Sequence, residues 1–109
     1  MRSLITLLVM SFASCAAAGT IESPKKGQVF KRGEKIVCAG TMDEVTAILV
    51  KVKNKKDVIY GNAGDTHKGG PWTLTVEPPT GGWPVGEYTI ELHNARRKRI
   101  DATVKIKVE

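Results

Sequence analysis

Arg96-Arg97-Lys98-Arg99 places four cations side by side. The chemistry open to them is charge recognition. A guanidinium presents a planar fork that fits carboxylate or phosphate, and an ammonium acts as a point charge. The other reactive residue types are not spaced for catalysis. His67 lies in a glycine-rich stretch near Asp65, and His93 stands alone on a later segment. Neither belongs to a His-x-x-x-His pair, and there is no Cys-x-x-Cys. No serine occupies a Gly-x-Ser-x-Gly elbow. Glu87 and Glu91 share a strand face, but lysines are expected beside them, which keeps carboxylates ionised rather than poised as acids. Cys38 falls on an inward strand position, where a thiol acts as a small apolar residue. These residues imply no enzyme, no metal and no cofactor. Trp83, between Gly82 and Pro84, has two readings. It plugs one end of the fold, or it is exposed beside Tyr60 and stacks on a sugar ring with help from a loop at 62–70.

The elements that position these residues are strands. Gly86 to Asn94 alternates strictly, with Tyr88, Ile90 and Leu92 on one side and Glu87, Thr89, Glu91 and His93 on the other. Ala47 to Asn54 alternates in the same way through Ile48, Val50 and Val52, and Asp101 to Glu109 through Ala102, Val104, Ile106 and Val108. Lys35 to Thr41 places Ile36, Cys38 and Gly40 on one face, and Trp72, Leu74 and Val76 share another. A short strand is expected at 57–61, with Val58 and Tyr60 on one face. Met42-Asp43-Glu44 and residues 62–71, with Gly64, Gly69 and Gly70, read as loops. No helical stripe follows residue 19. Short strands with regular turn signals predict an all-β sandwich of about seven strands.

The amino terminus has a different character. Arg2, the apolar run from Leu4 to Phe12 and the small residues from Ala13 to Gly19 follow the order of a secretory signal peptide. The run is shorter than the roughly 20 apolar residues a membrane span needs. Residues 1–18 are therefore assigned to export and residues 19–109 to one domain. Cleavage before Gly19 satisfies the small-x-small rule. Phe12-Ala13-Ser14-Cys15 also resembles a bacterial lipobox, which implies cleavage before Cys15 and lipid on its sulfur. Both alternatives stay open at this point. Either one leaves Cys38 as the single free thiol of a chain with two cysteines, so no internal disulfide is expected.

Ile21-x-x-Pro24-x-x-Gly27, Gly33-x-x-Ile36-x-Cys38-x-Gly40, Trp72-x-Leu74-x-Val76, Gly86-x-Tyr88-x-Ile90 and Val104-x-Ile106-x-Val108 together resemble bacterial immunoglobulin-like domains. The resemblance covers nearly all of the chain after the export segment. It implies an antiparallel sandwich, with Tyr88 as the tyrosine that bonds back to the preceding backbone. Ile90 stands where antibody domains carry the second cysteine. By this analogy Arg96 to Arg99 occupy the turn between the last two strands, at the same end as Asp43 and Glu44, which are placed to neutralise part of the charge. The lysines of the neighbouring strands, Lys51, Lys53, Lys105 and Lys107, are expected to form a cross-strand ladder with Glu87 and Glu91. A habit of extracellular binding or spacing follows, without catalytic residues.

With a net charge of +6, the partners expected of an exported chain are an anionic envelope polymer, an anionic lipid surface or a protein. Export sets intracellular nucleic acid aside. The expectation is a monomer, secreted or periplasmic, or held to a membrane through Cys15.

Overall fold

The computed structural model describes residues 18–109. The segment expected to direct export, apart from Ala18, and with it Cys15, lies outside the described residues. Five strands carry the fold: β1 (Val29–Phe30), β2 (Ile36–Asn54), β3 (Ile59–Val76), β4 (Gly86–Asn94) and β5 (Arg99–Val108). They hydrogen-bond in the order β1-β5-β4-β2-β3, antiparallel except for the β1–β5 pair. The alternating segment 86–94 is the middle strand of the five, as its pattern predicts.

Two strands are much longer than their sequence patterns suggest. β2 has 19 residues and β3 has 18. Each does the work of two strands because the sheet folds over along their length. Residues 36–42 of β2 pair with 70–76 of β3, whereas residues 45–53 pair with 59–68 on one side and residues 48–54 with β4 on the other. Asp43 and Glu44 interrupt the register as a bulge between these halves. A bulge bends its strand and increases local twist. The two halves then face one another across a common core. Ile36, Cys38, Trp72 and Val76 come from one layer, and Ile48, Val50, Val52, Ile90, Leu92 and Ile106 from the other. Counted as segments, the folded strands make the sandwich of about seven that the sequence predicts.

The amino-terminal stretch completes the first layer. Thr20 N–H donates to Thr41 O at 2.8 Å and Glu22 N–H to Ala39 O at 2.7 Å. This approach requires Gly40, because a Cβ there would lie 1.9 Å from Thr20 O. The chain then crosses to the other layer, where Val29 and Phe30 lie beside Lys107 and Val108.

Three local expectations are corrected. Residues 62–71 are not a loop but the middle of β3, paired with β2 except at Gly69, which lies opposite the bulge. Met42 to Glu44 is not a surface loop, since Met42 is fully buried. Val58 precedes β3 and is exposed, its carbonyl closing the β2–β3 turn by accepting from Asn54 N–H at 3.0 Å.

Candidate functional site

Arg96, Arg97 and Lys98 form the β4–β5 turn with Ala95, Arg99 opens β5, and the structure divides the four cations. Arg97 forks onto Glu44, its Nε lying 2.7 Å from both carboxylate oxygens, with a further contact from the guanidinium to Oε2. Arg99 Nε donates to Asp101 Oδ1 at 2.6 Å. Arg96 and Lys98 are exposed and have no carboxylate partner among the described residues. The Arg97 and Asn94 hydrogen bonds hold the Glu44 carboxyl down at about 2. The bulge in β2 is what brings Glu44 to this end. Asp43, beside it, is exposed and makes no ion pair among the described residues. Of the two acidic residues expected here, Glu44 alone neutralises the turn.

Asn94 organises the turn, and the sequence reading did not single it out. It is 1% exposed. Its Nδ2 donates to Glu44 Oε1 at 2.9 Å and to Asp101 Oδ2 at 3.0 Å. Its Oδ1 accepts from Thr46 Oγ1 and from Arg97 N–H, both at 3.1 Å. Carboxylates only accept, so the amide must present its nitrogen to them. The Thr46 hydroxyl in turn accepts from Arg96 N–H at 3.0 Å. β2, β4, β5 and the turn are thereby joined by one satisfied polar network. One signal could have revealed it: Asn94 continues the inward series Tyr88, Ile90, Leu92 by one step.

The chain also arrives at this end. Ala18 O accepts from Asp43 N–H at 2.9 Å, and Gly19 bridges to Met42. Ala18 packs against the core. The first described residue thus lies beside the acidic bulge that holds the basic turn.

The other candidates fall elsewhere. Trp83 is 0% exposed. Its Nε1 donates to Glu34 O at 2.8 Å, and its ring meets Tyr88 edge-on at 6.0 Å. Gly61 leaves room for it, since a Cβ there would lie 2.8 Å from the indole. Trp83 therefore plugs the far end and has no free face for a sugar. With 62–70 in a paired strand as well, both features behind the carbohydrate reading are lost. Tyr88 OH donates to Pro84 O at 2.5 Å, the backward bond that the tyrosine motif implies.

His67 Nε2 contacts Gly70 O, and His93 Nε2 contacts Glu91 Oε1, both at 2.9 Å. Among the described residues, no three His, Cys, Asp or Glu side chains are grouped to hold a metal. Cys38 is buried, and desolvation pushes its thiol up to about 12. On the outer face, Lys53 binds Glu91 at 3.0 Å and Lys55 binds Glu87 at 3.2 Å. Burial opposes ionisation of Glu91, but the Lys53 and His93 hydrogen bonds outweigh it and lower the carboxyl. The ladder forms through Lys53 and Lys55. Lys51, Lys105 and Lys107 make no ion pair among the described residues.

No family model and no curated protein matches the chain. Solved structures do. A fibronectin(III)-like module of Clostridium thermocellum CbhA is similar at 12% identity and TM-score 0.51, covering 83% of this chain and 92% of its own. CopC from Methylosinus trichosporium OB3b is similar at 12% identity and TM-score 0.57, covering 84% and 93%. The CARDB domain of PF1109 from Pyrococcus furiosus, solved in complex with di-metal ions, is similar at 15% identity and TM-score 0.50, covering 84% and 86%. At such identities the likeness is one of fold, and the fold is an immunoglobulin-like β-sandwich.

Proposed function

We propose that this chain is an exported, non-enzymatic immunoglobulin-like module that presents its β4–β5 end to an anionic partner. The observation that carries the reading is the division of the turn. Arg97 and Arg99 are bound to Glu44 and Asp101. Arg96 and Lys98, without an acidic partner among the described residues, project from a turn fixed by Asn94 and Thr46. Two cations serve structure and two remain for recognition. Fixing the turn in advance lowers the ordering cost of binding.

Both processed forms of the amino terminus suit this reading. Cleavage before Gly19 leaves a secreted or periplasmic domain whose first residue adjoins the basic end. Cleavage before Cys15 with lipidation leaves three residue steps between the anchor and Ala18, a reach of about 10–11 Å. The basic turn then faces the membrane. A lipid anchor combined with a basic patch holds and orients a domain better than one acyl chain alone.

The test compares wild type with an Arg96→Gln/Lys98→Gln variant for binding to soluble inorganic polyphosphate. Each exposed cation near an anionic surface contributes about 1 kcal/mol, so the pair should supply about 30-fold in affinity at low salt. The difference should shrink as salt screens the charges. Equal affinities for the two proteins would refute the assignment.

A further inference from the structure

The outer face of β2, β4 and β5 changes character along its length. Toward the far end it carries the Lys53–Glu91 and Lys55–Glu87 pairs. Toward the basic turn it is apolar. Leu49 lies opposite His93, and His93 opposite Ile100, so these three form one row across the three strands. Ala47 extends the floor, and Lys98 and Arg99 stand at the lip of a groove of about 540 Å³. Ile100 is 45% exposed, and Val45, just past the bulge, is 62% exposed. Scattered apolar residues on a surface carry no meaning. Here Ala47, Leu49 and Ile100 line one groove with Lys98, and Val45 precedes Thr46, whose hydroxyl accepts from Arg96 N–H.

We propose that this groove and its rim dock on an anionic lipid bilayer. Ile100 and Val45 enter the interfacial layer, and Arg96 and Lys98 contact lipid phosphates. This rests on the basic-end reading above and extends it by naming the partner. Three features favour a bilayer over a soluble polyanion. A polyanion has no use for apolar side chains between the cations, whereas interfacial binding combines buried apolar area with attraction to anionic headgroups. The groove is open to solvent rather than closed around a ligand. The amino-terminal stretch joins the domain at this same end through Ala18, so a lipid on Cys15 would hold this face against the bilayer.

The experiment uses the full-length product in the form the cell leaves it. Ile100→Trp and, as a control at the far end, Val58→Trp are mixed with or reconstituted into two kinds of vesicle. One contains phosphatidylglycerol and phosphatidylcholine, the other phosphatidylcholine alone, and both carry a bromine-labelled phosphatidylcholine as quencher. Trp72 and Trp83 are 4% and 0% exposed and serve as a constant background. Docking predicts quenching for Ile100→Trp on anionic vesicles only and none for Val58→Trp, whether or not the protein is lipid-anchored. Ile100→Ser should weaken binding of unanchored protein to anionic vesicles about tenfold, with polyphosphate affinity unchanged. No quenching at position 100, with polyphosphate binding still dependent on Arg96 and Lys98, would overturn bilayer docking and leave the basic-end reading intact. Loss of that dependence as well would overturn both. Unchanged urea midpoints exclude misfolding of the variants.

Discussion

Asn94→Asp should destabilise the domain at neutral pH and should reverse the sign of its response to acid. The Asn94 amide nitrogen now lies 2.9 Å from a Glu44 oxygen and 3.0 Å from an Asp101 oxygen. Replacing that nitrogen by a carboxylate oxygen turns two charge-assisted bonds into two like-charge contacts. The Asp101 side chain is 0% exposed, so water cannot relieve its half of the conflict. A charge-assisted hydrogen bond is worth about 1.5–3 kcal/mol. An uncompensated buried charge brings the expected loss to about 3–5 kcal/mol. Arg97 and Arg99 remain bound to Glu44 and Asp101 and keep the cost at that level.

The pH response separates this cause from simple loss of packing. In wild type, the Glu44 carboxyl is lowered from 4.5 to about 2. Its contribution is present above pH 4.5 and is lost as pH falls toward 2. In the variant, a carboxyl crowded by two others is raised instead. Its penalty is full at pH 7 and is relieved as pH falls through that raised value, because one protonated carboxyl can donate again. Urea unfolding followed by tryptophan fluorescence, at pH 7 and pH 5, measures both effects. The gap between the two proteins should narrow at pH 5. A loss below 1 kcal/mol at pH 7, or a gap that stays constant between the two pH values, would refute the network.

Tyr88→Phe removes the bond to Pro84 O and should lower stability by about 0.5–1.5 kcal/mol in urea with an unchanged slope. Trp83→Phe leaves Glu34 O without its donor and opens a gap above Gly61, so a loss of about 2–4 kcal/mol is expected by the same assay. Wild-type emission should be blue-shifted and resistant to iodide. Cys38→Val should change stability by less than about 1.5 kcal/mol. In a protein processed at either cleavage position, no thiol should react with a maleimide until the domain unfolds.

Legibility followed burial. β4 could be read residue by residue because one face is in the core and the other in solvent, so Tyr88, Ile90 and Leu92 alternate with polar neighbours. β5 and the second half of β2 were legible for the same reason. Residues 62–70 were not. They lie in the edge strand, where Asn62, Gly64, Thr66 and Lys68 face solvent and little bulk is needed beneath them. Glycines there resemble loop punctuation although every residue from Asn62 to Lys68 is paired. The bulge at Asp43 and Glu44 was hidden too, since two acidic residues after Met42 look like a turn. Only the folded sheet shows that they bend one continuous strand. The basic turn was visible as a run of charge, but the run alone could not show which cations were already bound. That division depends on Glu44 arriving from β2, on Asp101 turning back to Arg99 within β5, and on an asparagine two of whose partners are 48 and 50 residues away in sequence.

The most direct measurement is an amide NMR titration of the protein with inorganic polyphosphate. If the β4–β5 end is the recognition surface, resonances of residues 43–47 and 94–101 shift together. Those of 55–58 and 83–88, at the far end, stay in place, and Arg96→Gln/Lys98→Gln moves the response to about 30-fold higher polyphosphate. Shifts spread over Lys51, Lys105 and Lys107 on the outer face, or an undiminished response in the double variant, would contradict it.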